Sequence, residues 1–164
     1  PREPWEYGEQ FLEDFRRTIE MKYELMPYIY RQAQACSAAG HPMIRPLFFE
    51  YPDDPGSWFI DDEYFFGSDL LVGPLFESPG RTSEGEAEGG ESALSNDDSR
   101  MHARNMYLPP GSWIDSQTGR TYSGPGWQTI ATGPIPIVLL LRAGATIPRA
   151  EVASGSPAAL NSPE

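Results

Sequence analysis

The hydrophobic residues of this chain change their period partway along it, and that change restricts the folds open to it. Between residues 9 and 39, apolar side chains recur at steps of three and four, at Phe11, Phe15, Ile19, Tyr23, Met26, Ile29, Tyr30 and Ala33. That spacing places them on one face of an amphipathic helix. Glu9, Glu13 and Asp14 suit its positive N-terminal end, Arg31 lies toward the other end, and Gly40 offers a left-handed stop. Pro27 lacks an amide donor and crowds the carbonyl four residues back, which predicts a kink. Residues 43–51 form a nearly continuous apolar run, the pattern of a strand covered on both faces in a parallel sheet. Residues 52–56 compose a turn, and residues 60–66 predict a short helix closed by Gly67 with Asp61, Asp62 and Glu63 near its start. Beyond residue 68 the period becomes that of strands. Segments at 70–75, 105–108, 112–115, 120–122, 126–131 and 135–142 are separated by Pro and Gly turns, which predicts an antiparallel β-sandwich. The fold class expected is α/β followed by all-β, with the switch near residue 68.

Charge narrows the partners. A net charge of -12, with no cluster of Lys and Arg, disfavours nucleic acid, whose phosphates require one. Much of the excess sits between residues 77 and 100, with seven acids against two arginines. Residues 77–104 are so poor in large apolar side chains that they predict a disordered acidic insert, and the tail, residues 149–164, reads the same way. Cys36 stands alone in the sequence, so no intramolecular disulfide is available. The apolar run at 135–141 is interrupted by Pro136 and too short to span a bilayer, so no membrane partner is expected. The opening Pro-Arg-Glu-Pro-Trp carries no leader pattern and reads as the interior of a longer protein.

Candidate chemistry is sparse. A glycosidase needs two carboxyl groups flanking one bond, and Asp53-Asp54 and Asp61-Asp62 are adjacent pairs. Their settings favour structure: a Pro-bounded turn where Asp satisfies backbone amides, and a helix's first turn where the dipole favours acids. Asp54 alone lies just past the end of the strand expected at 43–51, the position at which a β/α barrel, if the parallel sheet is one, builds its active site. His41 and His102 lack neighbours at ligand spacing, and His41 beside Gly40 reads as a helix-end residue, so neither a metal nor another cofactor is expected. No Ser lies in a nucleophile elbow, and no glycine loop for phosphate is present. Trp58, Trp113 and Trp127 have the chemistry to stack on sugar rings, but in a small sandwich such residues are more often core.

Several ordered blocks carry a resemblance. Arg2-Glu3-Pro4-Trp5, Leu25 to Tyr30 (Leu-Met-Pro-Tyr-Ile-Tyr), Gly40 to Pro46 (Gly-His-Pro-Met-Ile-Arg-Pro), Tyr51 to Pro55 and Gly67 to Pro74 resemble the end of the catalytic domain of glycoside hydrolase family 31. Tyr107 to Asp115 with Gly119, and Ile135 to Pro148, resemble that family's proximal C-terminal sandwich. The resemblance implies residues 1–67 as the last helices and last strand of a (β/α)8 catalytic barrel, and residues 68–148 as a sandwich. It also implies an enzyme that removes terminal α-linked glucose or xylose with retention, acting on an oligosaccharide or α-glycoside through one Asp nucleophile and one Asp acid/base. Both precede this sequence in the family, as does a pocket His. The nucleophile's Trp-x-Asp-Met-Asn signature is absent, and Trp113-Ile114-Asp115 belongs to the sandwich block. Arg2, Arg45 and Asp54 are then the candidates for the rim of the sugar pocket or the residues behind it, with no catalytic residue expected in the chain. Two other classes compete: a non-catalytic carbohydrate-binding β-sandwich presenting Trp113 and Trp127, and an interaction module recruiting basic partners through the acidic insert. Neither needs the helix and strand before residue 68.

Overall fold

The computed structural model describes residues 3–75 and 103–151. The expected acidic insert therefore lies outside the described residues apart from Ala103 and Arg104, which open a strand. Arg2 also lies outside them.

After a 3-10 turn at Pro4–Tyr7, the long helical pattern divides into α1 (Glu9–Glu24) and α2 (Met26–Ala39). Pro27 does more than kink the helix. It occupies the first turn of α2, where its missing amide costs nothing, and the helix breaks at Leu25. The break leaves the Glu24 carbonyl to accept the Ala150 amide at 2.8 Å, while Arg149 reaches the Glu24 carboxylate at 3.1 Å. The first residues of the expected flexible tail are thus tied to the helices. Gly40 stops α2 in the left-handed conformation (φ 70), and the His41 amide caps the Cys36 carbonyl at 3.0 Å.

Residues 43–51 are not a parallel barrel strand. Only β1 (Ile44–Arg45) is extended, and it pairs antiparallel with β2 (Tyr64–Phe66). Pro46, with no amide to donate, then turns the chain into the helical turn α3 (Leu47–Glu50). The helix expected at 60–66 is also absent: a 3-10 turn at Pro55–Phe59 precedes β2. A short apolar run fits a strand with both faces covered as well as it fits a buried helix, and here tertiary context selected the strand.

The strands join in one sheet of order β1-β2-β3-β6-β4-β5, and every strand pairing among the described residues is antiparallel. β3 is Leu70–Pro74, β4 Ala103–Asp115, β5 Thr121–Ala131 and β6 Ile137–Arg142. Segments read separately at 105–108 and 112–115 are one strand, with a register shift between Leu108 and Gly111 at the two prolines. Because β2 pairs with β3, the sheet runs across residue 68 without a break.

Alternation along β3 and β6 sorts their side chains to two layers. Leu70, Val72 and Leu139 pack with Leu25 and Tyr28 of the helices. Leu71, Val138 and Leu140 pack on the other face with Met106, Leu108, Trp113 and Ile130. β4 pairs with β6 only at Trp113, Ile114 and Asp115, so the rest of the β4–β5 hairpin leaves the sheet and folds back over that second face. Met106 seats on Gly73, where an added Cβ would lie 2.5 Å from its sulfur. The result is a sandwich formed by a sheet closing on its own hairpin arm, with α1 and α2 on the opposite side.

Candidate functional site

Asp54 precedes the 3-10 turn Pro55–Phe59, and its carboxylate is committed to that turn and to β4. Ser57 donates its hydroxyl to Oδ2 at 2.7 Å, and the Tyr107 hydroxyl donates to Oδ1 and Oδ2 at 2.9 and 3.0 Å. Burial, followed by the hydrogen bond to Asp54 and that carboxylate's charge, pushes the Tyr107 phenol up to about 12, so it remains a donor at all physiological pH. Gly56 is required beneath the Tyr107 ring, since a Cβ there would overlap the phenol. Asp53 is exposed beside it. Asp61 is exposed, and Asp62 holds the Arg104 guanidinium at 2.6 Å.

Arg45 is buried (5% exposed) and fully engaged. Nε donates to the Pro42 carbonyl at 2.7 Å, one terminal nitrogen pairs with Glu50 Oε1, and the other donates to Cys36 Sγ at 3.2 Å. Glu50 Oε2 also meets Arg142 at 3.4 Å, and that guanidinium lies over the rings of Tyr51, Phe65 and Trp113 at 5.2, 5.6 and 5.9 Å. Arg45, Glu50 and Arg142 thus form a chain of alternating charge that ties α2, β1, α3 and β6 together. Arg45 and Asp54 are not brought together by any hydrogen bond or ion pair between them; each belongs to its own network.

Sequence reasoning assigned no role to Glu50, Arg142 or Tyr107, and placed Glu63 in a helix's first turn. Glu63 is buried (4% exposed), accepts the Tyr107 amide at 2.8 Å through Oε1, and has no partner at Oε2. It occupies the side of β4 beyond Trp113, where β6 has ended at Arg142. The signal was a single acid inside the apolar stretch from Ile60 to Phe66.

The tryptophans divide. Trp113 is fully buried, as the core reading expects, whereas Trp58 and Trp127 are 56% and 62% exposed. Trp58 stacks on Phe48 at 4.8 Å, and Trp127 meets Tyr107 edge-on at 5.8 Å. An open groove of about 480 Å3 runs between α1 and the loops bearing Gln117 and Ile135, and its Arg149 and Glu24 are paired with each other. Among the described residues no group of three or more His, Cys, Asp or Glu is placed to hold a metal, and no helix is long and apolar enough to cross a membrane.

The model of the glycosyl hydrolase family 31 TIM-barrel domain matches residues 1–32, and that of the glycosyl hydrolase family 31 C-terminal domain matches residues 40–147. An α-xylosidase of Emericella nidulans is 32% identical over 154 residues, covering 90% of this chain and 17% of the relative. Alpha-glucosidase 2 of Bacillus thermoamyloliquefaciens is 27% identical over 151 residues, covering 92% and 16%. Among solved structures, a family 31 α-xylosidase from a soil metagenome, complexed with xylose, superposes with a TM-score of 0.71 at 30% identity, over 90% of this chain and 19% of that one. A family 31 dextranase of Flavobacterium johnsoniae gives 0.74 at 30% identity, over 92% and 16%. The chain therefore spans less than a fifth of the length of these relatives. With the C-terminal domain model covering most of its length and the barrel model abutting it upstream, the chain belongs to glycoside hydrolase family 31.

Proposed function

We propose that the chain is the C-terminal portion of a retaining α-glycosidase that releases terminal α-linked glucose or xylose from oligosaccharides. In this reading the catalytic aspartate pair and the pocket His are held by barrel residues outside the sequence. Residues 1–39 are the last barrel helices and residues 40–151 the sandwich that supports them. This boundary lies earlier than the change of period suggests, because β1 and β2 already pair into the sheet. The observation that carries the reading is the order of the two family matches together with the packing between them. Leu25 and Tyr28, from the barrel-matching segment, are buried against Leu70, Val72 and Leu139 of the sandwich sheet. Asp54, Arg45 and Arg2 then serve behind or beside the sugar pocket. Asp54 has both oxygens engaged as acceptors, which suits positioning of the turn at residues 52–57 better than proton donation.

The test is an assay of the 164-residue chain on nitrophenyl α-glucoside and nitrophenyl α-xyloside. No turnover is expected, since nucleophile and general acid together supply most of the rate. Turnover that survives purification and is abolished by Asp54→Asn would overturn the proposal.

A further inference from the structure

Trp127 is the exposed large apolar side chain on β4 and β5 among the described residues. Its neighbours two residues away on the same face are Pro125 and Thr129, both exposed. Across the register, Trp127 faces Tyr107 and Thr129 faces Asn105. The Tyr107 ring meets the indole edge-on at 70° and is itself anchored by its hydroxyl to Asp54, so the indole is braced on one side. The indole is otherwise exposed, at 62%. One step along the ladder, Thr129 donates to Asn105 Oδ1 at 2.5 Å, which leaves the amide hydrogens of Asn105 as that side chain's free donors.

A rigid aromatic plane with one open side and amide and hydroxyl groups a ladder step away suits a pyranose. Its axial C–H face stacks on the indole while its hydroxyls reach the polar pair, and a preorganised ring loses little entropy on binding. It suits a protein partner poorly, because the core of such an interface is several contiguous apolar side chains. The helices of the barrel-matching segment pack on the Leu70, Val72 and Leu139 side of the sheet, whereas the arm lies over the Leu71, Val138 and Leu140 side.

We propose that the outer face of the β4–β5 arm, centred on Trp127 with Asn105 and Thr129 beside it, is a sugar-binding ledge for a pyranose of an α-glucan or α-xyloside-bearing chain. The ligand class rests on the glycosidase reading; the ledge itself rests on its geometry. A binding measurement needs no turnover, so failure to bind leaves that reading intact, and hydrolysis assays leave the ledge untouched.

The experiment titrates the isotopically labelled 164-residue chain with maltoheptaose and with a xyloglucan heptasaccharide, following backbone amide shifts. The expected result is saturable shifts confined to residues 105–108 and 126–129, with an affinity of about 1 mM. Trp127→Thr, a substitution that strands accept, should weaken binding at least about tenfold, equivalent to about 1.4 kcal/mol. Asn105→Ala should weaken it several-fold, and Trp58→Ala should leave it unchanged. Absence of shifts up to about 10 mM, shifts centred on Trp58, or a wild-type dimer that Trp127→Thr converts to monomer would each overturn the proposal. The wild-type shift map decides the matter even if a variant misfolds.

Discussion

Replacing Glu63 by Gln should stabilise the chain above neutral pH and leave it nearly unchanged in mild acid. Glu63 is buried, one oxygen accepts the Tyr107 amide, and the other has no partner. Burial pushes its pKa from 4.5 up to about 7; repulsion from Asp62 adds to the rise, while the Tyr107 amide and the Arg104 guanidinium oppose it. At ~1.4 kcal/mol per pH unit, a carboxyl moved that far favours its protonated form in the folded state by about 3 kcal/mol. The folded chain binds this proton more tightly than the unfolded chain, so the contribution is fully present below about pH 4.5 and is lost as pH rises through about 7. Glutamine keeps the shape, keeps an oxygen for the Tyr107 amide and never ionises. The expected gain is about 1 to 3 kcal/mol at pH 8 and close to zero at pH 4.5. In urea, with a slope of about 2 kcal/mol per molar, that moves the midpoint by roughly 0.5 to 1.5 M at pH 8. A variant less stable than wild type at pH 8 would mean that the Arg104 attraction outweighs burial. Identical pH profiles for the two proteins would mean that Glu63 is not desolvated. Either outcome refutes the reasoning.

Other substitutions test other layers. Glu50→Gln removes the charge that compensates buried Arg45 and should cost about 3 kcal/mol in urea unfolding. Tyr28→Phe loses the hydroxyl that donates to the Phe66 carbonyl at 2.8 Å and accepts the Asp69 amide at 3.3 Å, for about 1 to 2 kcal/mol by the same assay. Gly124→Ala drives a Cβ into the Pro109 carbonyl, backbone that no rotamer change moves aside, and should cost about 3 kcal/mol or more. Gly73→Ala presses on the side chains of Met106 and Arg104 rather than on backbone and should cost about 1 kcal/mol, so an equal loss at the two glycines would contradict this distinction.

Much of the architecture was legible because it depends on local rules. The helical spacing of the first 39 residues, the Gly40 stop and the strands at 70–74 and 137–142 appear where the pattern places them, while the segments at 105–108 and 112–115, and at 120–122 and 126–131, join into the long strands β4 and β5. The two misassigned elements share one cause. Residues 43–51 and 60–66 are short apolar runs, and such a run satisfies a barrel strand, a helix or a sandwich strand equally well until its neighbours are known. Pro46 and the pairing of Phe65 with Arg45 and Leu71 made both runs part of the antiparallel sheet.

The chain's residues by themselves determined the helical half, the β-rich half and the family, because periodicity and ordered motifs are carried by residue type and spacing. Only the tertiary structure decided which polar groups are sealed inside and which aromatics stay outside. Glu63 is sealed in because β6 ends at Arg142, opposite Trp113, and the carboxylate takes the Tyr107 amide beyond that end. Trp113 is buried and Trp127 exposed, although both lie on the same hairpin, because the arm folds over the sheet with one face inward. That choice of face belongs to the folding back of the arm, and no local spacing in the sequence records it.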